Sequence, residues 1–127
     1  MIKDFLILNC TGKTNKVGLR FDKNFHILEL GTKINNNDQL VINILNLIKK
    51  YKVNIDSKFS ILVNSGPGSF SSLRASLAVA KGIKISKKTN LFGYKDEDLG
   101  QFNLNNIELL IKKNLMQKNL IKPIYLS

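Results

Sequence analysis

The stretch Asn64-Ser65-Gly66-Pro67-Gly68-Ser69-Phe70-Ser71-Ser72-Leu73-Arg74 restricts the possible folds of this chain more than any other. It follows the apolar run Phe59 to Val63 and precedes a helical pattern that extends to about Ile85. A short apolar run rich in β-branched residues reads as a strand buried on both faces. The two glycines permit backbone angles or close approaches that a side chain would block, so the chain turns there and enters a helix capped by Ser69 or Ser71. Two uses of such a turn are open. Gly66, Pro67, Gly68 and Ser69 can form a tight connection only, or they can cradle a phosphate beneath the positive end of the helix dipole. The chain lacks both the GK[ST] ending of a Walker loop and a GxGxxG pattern, which favours the connection.

The rest of the chain supplies elements that can surround this junction. Phe5 to Leu8 reads as a central strand ending in Asn9-Cys10-Thr11-Gly12. Val17, Leu19 and Phe21, then Phe25, Ile27 and Glu29, alternate with other residues on either side of an Asp22-Lys23-Asn24 turn, the pattern of an antiparallel hairpin. His26 falls on its second strand, where a surface or edge position is expected. Asn35-Asn36-Asn37-Asp38 is a helix-start signal, and the helix from about Asp38 to Tyr51 is apolar over well more than one face. The helix after the glycine turn carries Leu73, Leu77 and Ala80, with small residues Ala75, Ala78 and Gly82 beside them. Leu91-Phe92-Gly93 reads as a fifth strand, Asp96-Glu97-Asp98 as a solvated loop, Leu104 to Met116 as an amphipathic helix, and Pro123 to Leu126 as an extended tail. This order of elements predicts an α/β fold of the ribonuclease H-like class, with a mixed five-stranded sheet and a C-terminal helix. Ligands in such folds sit at the carboxyl ends of the central strands, here Asn9 to Gly12 and Asn64 to Ser69.

At 127 residues the chain is long enough for one core. The expected division is residues 1–93 as the sheet domain and residues 94–127 as a smaller segment packed on it. No apolar stretch is long enough to span a bilayer and no cleavable leader is evident, so a cytoplasmic location is expected, without membrane contact. One cysteine, Cys10, and one histidine, His26, provide no disulfide and no metal constellation. The net charge of +11 invites nucleic acid, but only Arg20 and Arg74 are arginines and the lysines are scattered, which argues for a basic composition more than a selected patch.

Gly66-Pro67-Gly68-Ser69-Phe70-Ser71-Ser72-Leu73-Arg74, continued by Leu77, Ala78, Ala80, Lys81 and Gly82, resembles the GPGSFTGLR signature and alanine-rich helix of the TsaB (YeaZ) family. Pro123-Ile124-Tyr125-Leu126 is similar to that family's closing PxYLR. The resemblance implies an actin-like ATPase fold and a non-catalytic role. TsaB proteins support TsaD, which transfers a threonylcarbamoyl group to an adenosine beside the tRNA anticodon. It also implies a TsaD-like partner held by the first two helices, with Leu40, Ile44, Leu47 and Ile48 on one and Leu73, Arg74 and Leu77 on the other. Further expectations are a TsaE-like ATPase in the same assembly, tRNA reached through the complex, and a homodimer through the same helical face. No cofactor is expected on this chain, ATP with magnesium belonging to the partner.

The departures from the family pattern also carry information. Asn9-Cys10-Thr11 stands where the family carries an aspartate, which argues against ATP hydrolysis here. The family has a second domain between the strand ending at Gly93 and the closing tail, where this chain offers only Tyr94 to Lys122, room for about one helix. The alternative functions are a small ATP-binding protein that uses the Gly66 to Ser69 turn and a basic accessory module that binds tRNA.

Overall fold

The computed structural model describes residues 2–31, 37–118 and 121–126. Strand β1 (Phe5–Cys10) pairs antiparallel with β2 (Asn15–Phe21), which pairs antiparallel with β3 (Asn24–Glu29). Helix α1 (Asn37–Lys50) leads to β4 (Ser60–Asn64), which lies parallel to β1. Two residues, β5 (Gly68–Ser69), introduce helix α2 (Phe70–Lys87), and β6 (Asn90–Tyr94) returns parallel to β4. A short helix α3 (Asp96–Leu99), helix α4 (Leu104–Lys112), β7 (Gln117–Lys118) and β8 (Tyr125–Leu126) complete the order.

The main sheet runs β3-β2-β1-β4-β6-β7 and is mixed. Among the described residues the sheet thus has six strands where five were expected. Helix α4 stops at Lys112, short of the expected Met116, and Asn114 takes a left-handed φ of 55° that turns the chain back so that Gln117 and Lys118 pair antiparallel with Gly93 and Phe92. The expected acidic loop is a turn of helix instead, with Asp96, Glu97 and Asp98 in its first turn, where carboxylates suit the dipole. The helix-start residues Asn35 and Asn36 lie outside the described residues.

Alternation along the strands divides the core into two layers. Leu6, Leu8 and Cys10 of β1, with Ile61 and Val63 of β4, face α1 and α2, and meet Leu40, Ile44, Leu47, Ala75, Leu77 and Ala80. Phe5, Ile7, Leu62 and Tyr94 face the other way, onto Leu99, Ile107 and Leu110 of α3 and α4. The runs Phe5 to Leu8 and Ile61 to Val63 are apolar without interruption because both of their faces are covered. No helix among the described residues is long and apolar enough to cross a membrane.

Candidate functional site

Two places were expected to carry function, and the carboxyl end of the sheet is the first. There the glycine turn is tied to three other segments. Ser65 donates its N–H to the Tyr94 carbonyl at 2.8 Å, and Gly66 donates to Asn64 Oδ1 at 2.8 Å. Gly68 donates to the Ile124 carbonyl at 3.1 Å, and Ser69 to the Thr11 carbonyl at 2.9 Å. Pro67 has no N–H, so every amide hydrogen of Ser65 to Ser69 already has an acceptor within the chain. The amides of Ser65 to Ser69 are committed within the chain, which favours the tight connection over a cradle built from these residues.

The glycines meet steric demands at the same junction. Gly66 has a φ of +103°, and a Cβ there would collide with the Ile124 carbonyl oxygen. A Cβ on Gly68 would lie 2.7 Å from the Thr11 carbonyl oxygen. The tail is clasped in return: Ile124 donates to the Ser65 carbonyl at 2.8 Å, and β8 lies parallel to β5. Ser69 is the N-cap of α2, its hydroxyl accepting from the Ser72 amide at 3.4 Å. The turn thus joins β4, the loop after β1, the N-terminus of α2 and the tail.

Beneath it lies a buried polar cluster that sequence spacing did not reveal. Asn64 Nδ2 donates to Asn9 Oδ1 at 2.8 Å and to Asp96 Oδ1 at 3.0 Å, and the Tyr94 hydroxyl donates to Asn9 Oδ1 at 2.7 Å. Burial pushes the Tyr94 phenol well above its ordinary range, with the Cys10 and Asp96 charges adding to the effect. Burial alone pushes the Cys10 thiol up to about 12, so it is inert as a nucleophile at neutral pH. Asn9, Asn64, Tyr94 and the Asp96 carboxylate are thus joined by hydrogen bonds at this end of the sheet. Among the described residues, no group of histidine, cysteine, aspartate and glutamate side chains could hold a metal ion.

The second place is the pair of helices α1 and α2. Leu40, Leu47, Leu73 and Leu77 are buried in this chain's own core, and Ile44, itself 2% exposed, lines the groove between α1 and α2. Arg74 is exposed and lies 5.5 Å above the Phe70 ring, and Ile48 is half-buried. The expected contact surface is therefore displaced around the helices. A helix anchored by Leu40, Ile44 and Leu47 places Val41, Leu45 and Ile48 on the adjacent stripe. These three, with Ile55, Ala78, Gly82 and Ile83, line a groove of about 370 Å³ between α1 and α2. Leu45 is 57% exposed at its wall, and a Cβ added to Gly82 meets nothing within 4 Å. Ala78 and Gly82 on the α2 wall, beside the larger Val79 and Ile83, leave room for a helix backbone to approach. The sequence marked the first helix as apolar over more than one face and Ala78 and Gly82 as small; which stripe would be left over was decided by how α1 rolls onto the sheet.

No family model matches this chain, and none of the curated proteins does. Among solved structures it is similar to YeaZ from Pseudomonas aeruginosa, at 18% identity and a TM-score of 0.66, over 77% of this chain and 45% of that one. It is also similar to a protein described as uncharacterised with similarity to peptidase YeaZ from Pseudomonas aeruginosa, at 19% identity and a TM-score of 0.62, over 77% of this chain and 44% of that one. The fold is YeaZ-like, and this chain spans a little under half the length of the structures it matches.

Proposed function

We propose that the chain is a non-catalytic scaffold of the TsaB type that docks a TsaD-like threonylcarbamoyltransferase on the groove between α1 and α2. The observation that carries this reading is the groove itself, an open apolar furrow with Leu45 57% exposed on one side and Gly82 uncovered on the other. The YeaZ-like fold and the GPGSF signature agree with it. In this reading the fold is ribonuclease H-like, of the actin-like ATPase kind, and the cytoplasm is the place of action. ATP with magnesium, a TsaE-like ATPase and tRNA meet the assembly through the partner. The committed amides of the glycine turn leave this chain a structural role at that end of the sheet. The groove face also offers a second copy of this chain a place when the partner is absent.

Calorimetric titration of a TsaD-like protein tests the proposal. Replacing Leu45 by Asp removes a docked leucine and sets a carboxylate in an apolar contact, a loss of about 2 kcal/mol or more, hence about 30-fold in affinity. Leu45 is exposed in the free chain, so the fold tolerates the change. Ile42→Asp is the control: Ile42 is equally exposed but does not line the groove. Binding by Leu45→Asp as tight as by the unaltered chain would refute the docking surface.

A further inference from the structure

The main sheet ends in β7, only two residues long, on one side, and in β3 on the other. Strand β3 is six residues long and its pairing with β2 runs without a bulge from Asn24 to Glu29. It contains no proline. Among the described residues nothing pairs with its outer side. Exposed edges of this kind are ordinarily blunted by proline, bulges or covering segments, because their free amides and carbonyls template another strand.

The hairpin geometry says which groups are free. Asp22 and Lys23 have φ values of 50° and 67°, as a two-residue type I′ turn requires, so Phe21 and Asn24 form its hydrogen-bonded closing pair. Alternate residues on β3 then bond to β2, and the same phase continues to Leu30, which donates to the Asn15 carbonyl at 2.8 Å. Asn24, His26 and Leu28 therefore direct their backbone groups inward. Phe25, Ile27 and Glu29 direct theirs outward.

We infer that a second copy of this chain pairs with the outer edge of β3, antiparallel and about a two-fold axis at His26, joining two six-stranded sheets into one. Among the pairings that match outward residues with outward residues, this one is self-complementary twice over. It sets Phe25 opposite Ile27 of the other copy, and Lys23 at the turn opposite Glu29, and by symmetry each pair occurs twice. Shifting each copy by one residue relative to the axis places Ile27 against itself and Phe25 against Glu29, which loses the charge pairing. Ile27 is 51% exposed in the single chain, on the same sheet face as Phe25. Phe25 already leans on Phe5 and Phe102, with ring centroids 6.3 and 6.2 Å away. Pairing brings Ile27 of the other copy to that aromatic row. On the opposite face His26 stacks on Tyr51 at 3.5 Å, so the residue at the axis is held in place before the strands meet. The edge is separate from the α1–α2 groove, and the inference stands independently of the docking proposal.

Sedimentation velocity on the full chain over a range of concentrations tests the association, with Ile27→Pro, Ile27→Lys and Leu45→Asp compared with the unaltered chain. Ile27→Pro removes one outward donor from each copy and no bond to β2, a change edge strands accept. Losing those two hydrogen bonds weakens the dimer by about 30-fold. Ile27→Lys, which places charge on the edge, does the same without altering the backbone. The position of the axis is read by cross-linking. A residue facing its own copy in a non-hydrogen-bonded pair has Cα atoms about 4.5 Å apart, within the roughly 4.4–6.8 Å that a disulfide spans. His26→Cys therefore links two chains on mild oxidation, and Ile27→Cys does not. Cys10 is fully buried and does not compete.

A chain that sediments as a monomer at every concentration overturns the inference. So does a dimer that survives both Ile27 variants and is lost in Leu45→Asp, which would assign self-association to the helices. Cross-linking by Ile27→Cys in place of His26→Cys overturns the pairing.

Discussion

Replacing Gly66 by Ala tests whether the glycine turn is a structural clasp. The new methyl group must occupy a φ of +103°, which costs a residue with a Cβ about 1–3 kcal/mol. It also points at the Ile124 carbonyl oxygen, which accepts from Gly68. The collision can be relieved only by moving the tail away. That breaks the Gly68 to Ile124 bond at 3.1 Å and the Ile124 to Ser65 bond at 2.8 Å, about 1 kcal/mol each net. The sum is about 3–5 kcal/mol, a large share of the roughly 5–15 kcal/mol that holds a domain folded. Urea unfolding measures the loss, and amide hydrogen exchange locates it, since the Gly68 and Ile124 amides should lose protection first. Gly82→Ala is the matched control: it sits in a helix with nothing within 4 Å of its Cβ and should stabilise by about 0.5–1 kcal/mol. A Gly66→Ala protein within about 1 kcal/mol of the parent, with both amides still protected, would show that the tail does not depend on the turn.

Two further outcomes follow from the buried polar cluster and its neighbour. Asn64→Ala leaves the Gly66 amide without its acceptor and removes both donors to Asn9 and Asp96, so unfolding in urea should show a loss of about 2–4 kcal/mol. Cys10 stays protonated in the folded chain up to about 12, whereas an unfolded thiol titrates near 9.0. The folded state binds more protons across that window, so stability is full below it and falls as pH rises. The contribution is about 1.4 kcal/mol per pH unit above the unfolded value. Urea midpoints taken from about pH 8 to about pH 11 should fall less steeply in Cys10→Ala, which lacks the ionising group, while the slope from Tyr94 remains; equal slopes would refute the assignment.

The parts of the fold legible in the sequence are those in which one local pattern decides. The alternation from Val17 to Glu29 gave the hairpin, and the run Phe59 to Val63 before Gly66-Pro67-Gly68 gave a buried strand feeding a helix, observed as β4 over Ser60–Asn64. Strand β7 could not be read, because Gln117-Lys118 is too short to carry a period and owes its place to the left-handed turn at Asn114. The excess of apolar residues on α1 was visible, but the side left uncovered depended on the roll of the helix: Leu40 and Leu47 went to the core, and Leu45 to the groove beside Ile44. The polar cluster joins residues 55 and 85 positions apart, and no spacing rule connects an asparagine at one strand end with an asparagine and a tyrosine at two others.

That cluster has a consequence for how uniquely the chain folds. Phe5 to Leu8, Ile61 to Val63 and Leu91-Phe92 are apolar on both faces, so burial alone scarcely distinguishes the observed alignment of β1, β4 and β6 from one slipped by a residue. Slipping a strand by one residue would turn Asn9, Asn64 or Tyr94 to the opposite layer and leave its partners buried with nothing to bond. Three polar side chains thus penalise the misaligned sheets that the greasy strands would tolerate, and they convert a family of near-equal packings into one.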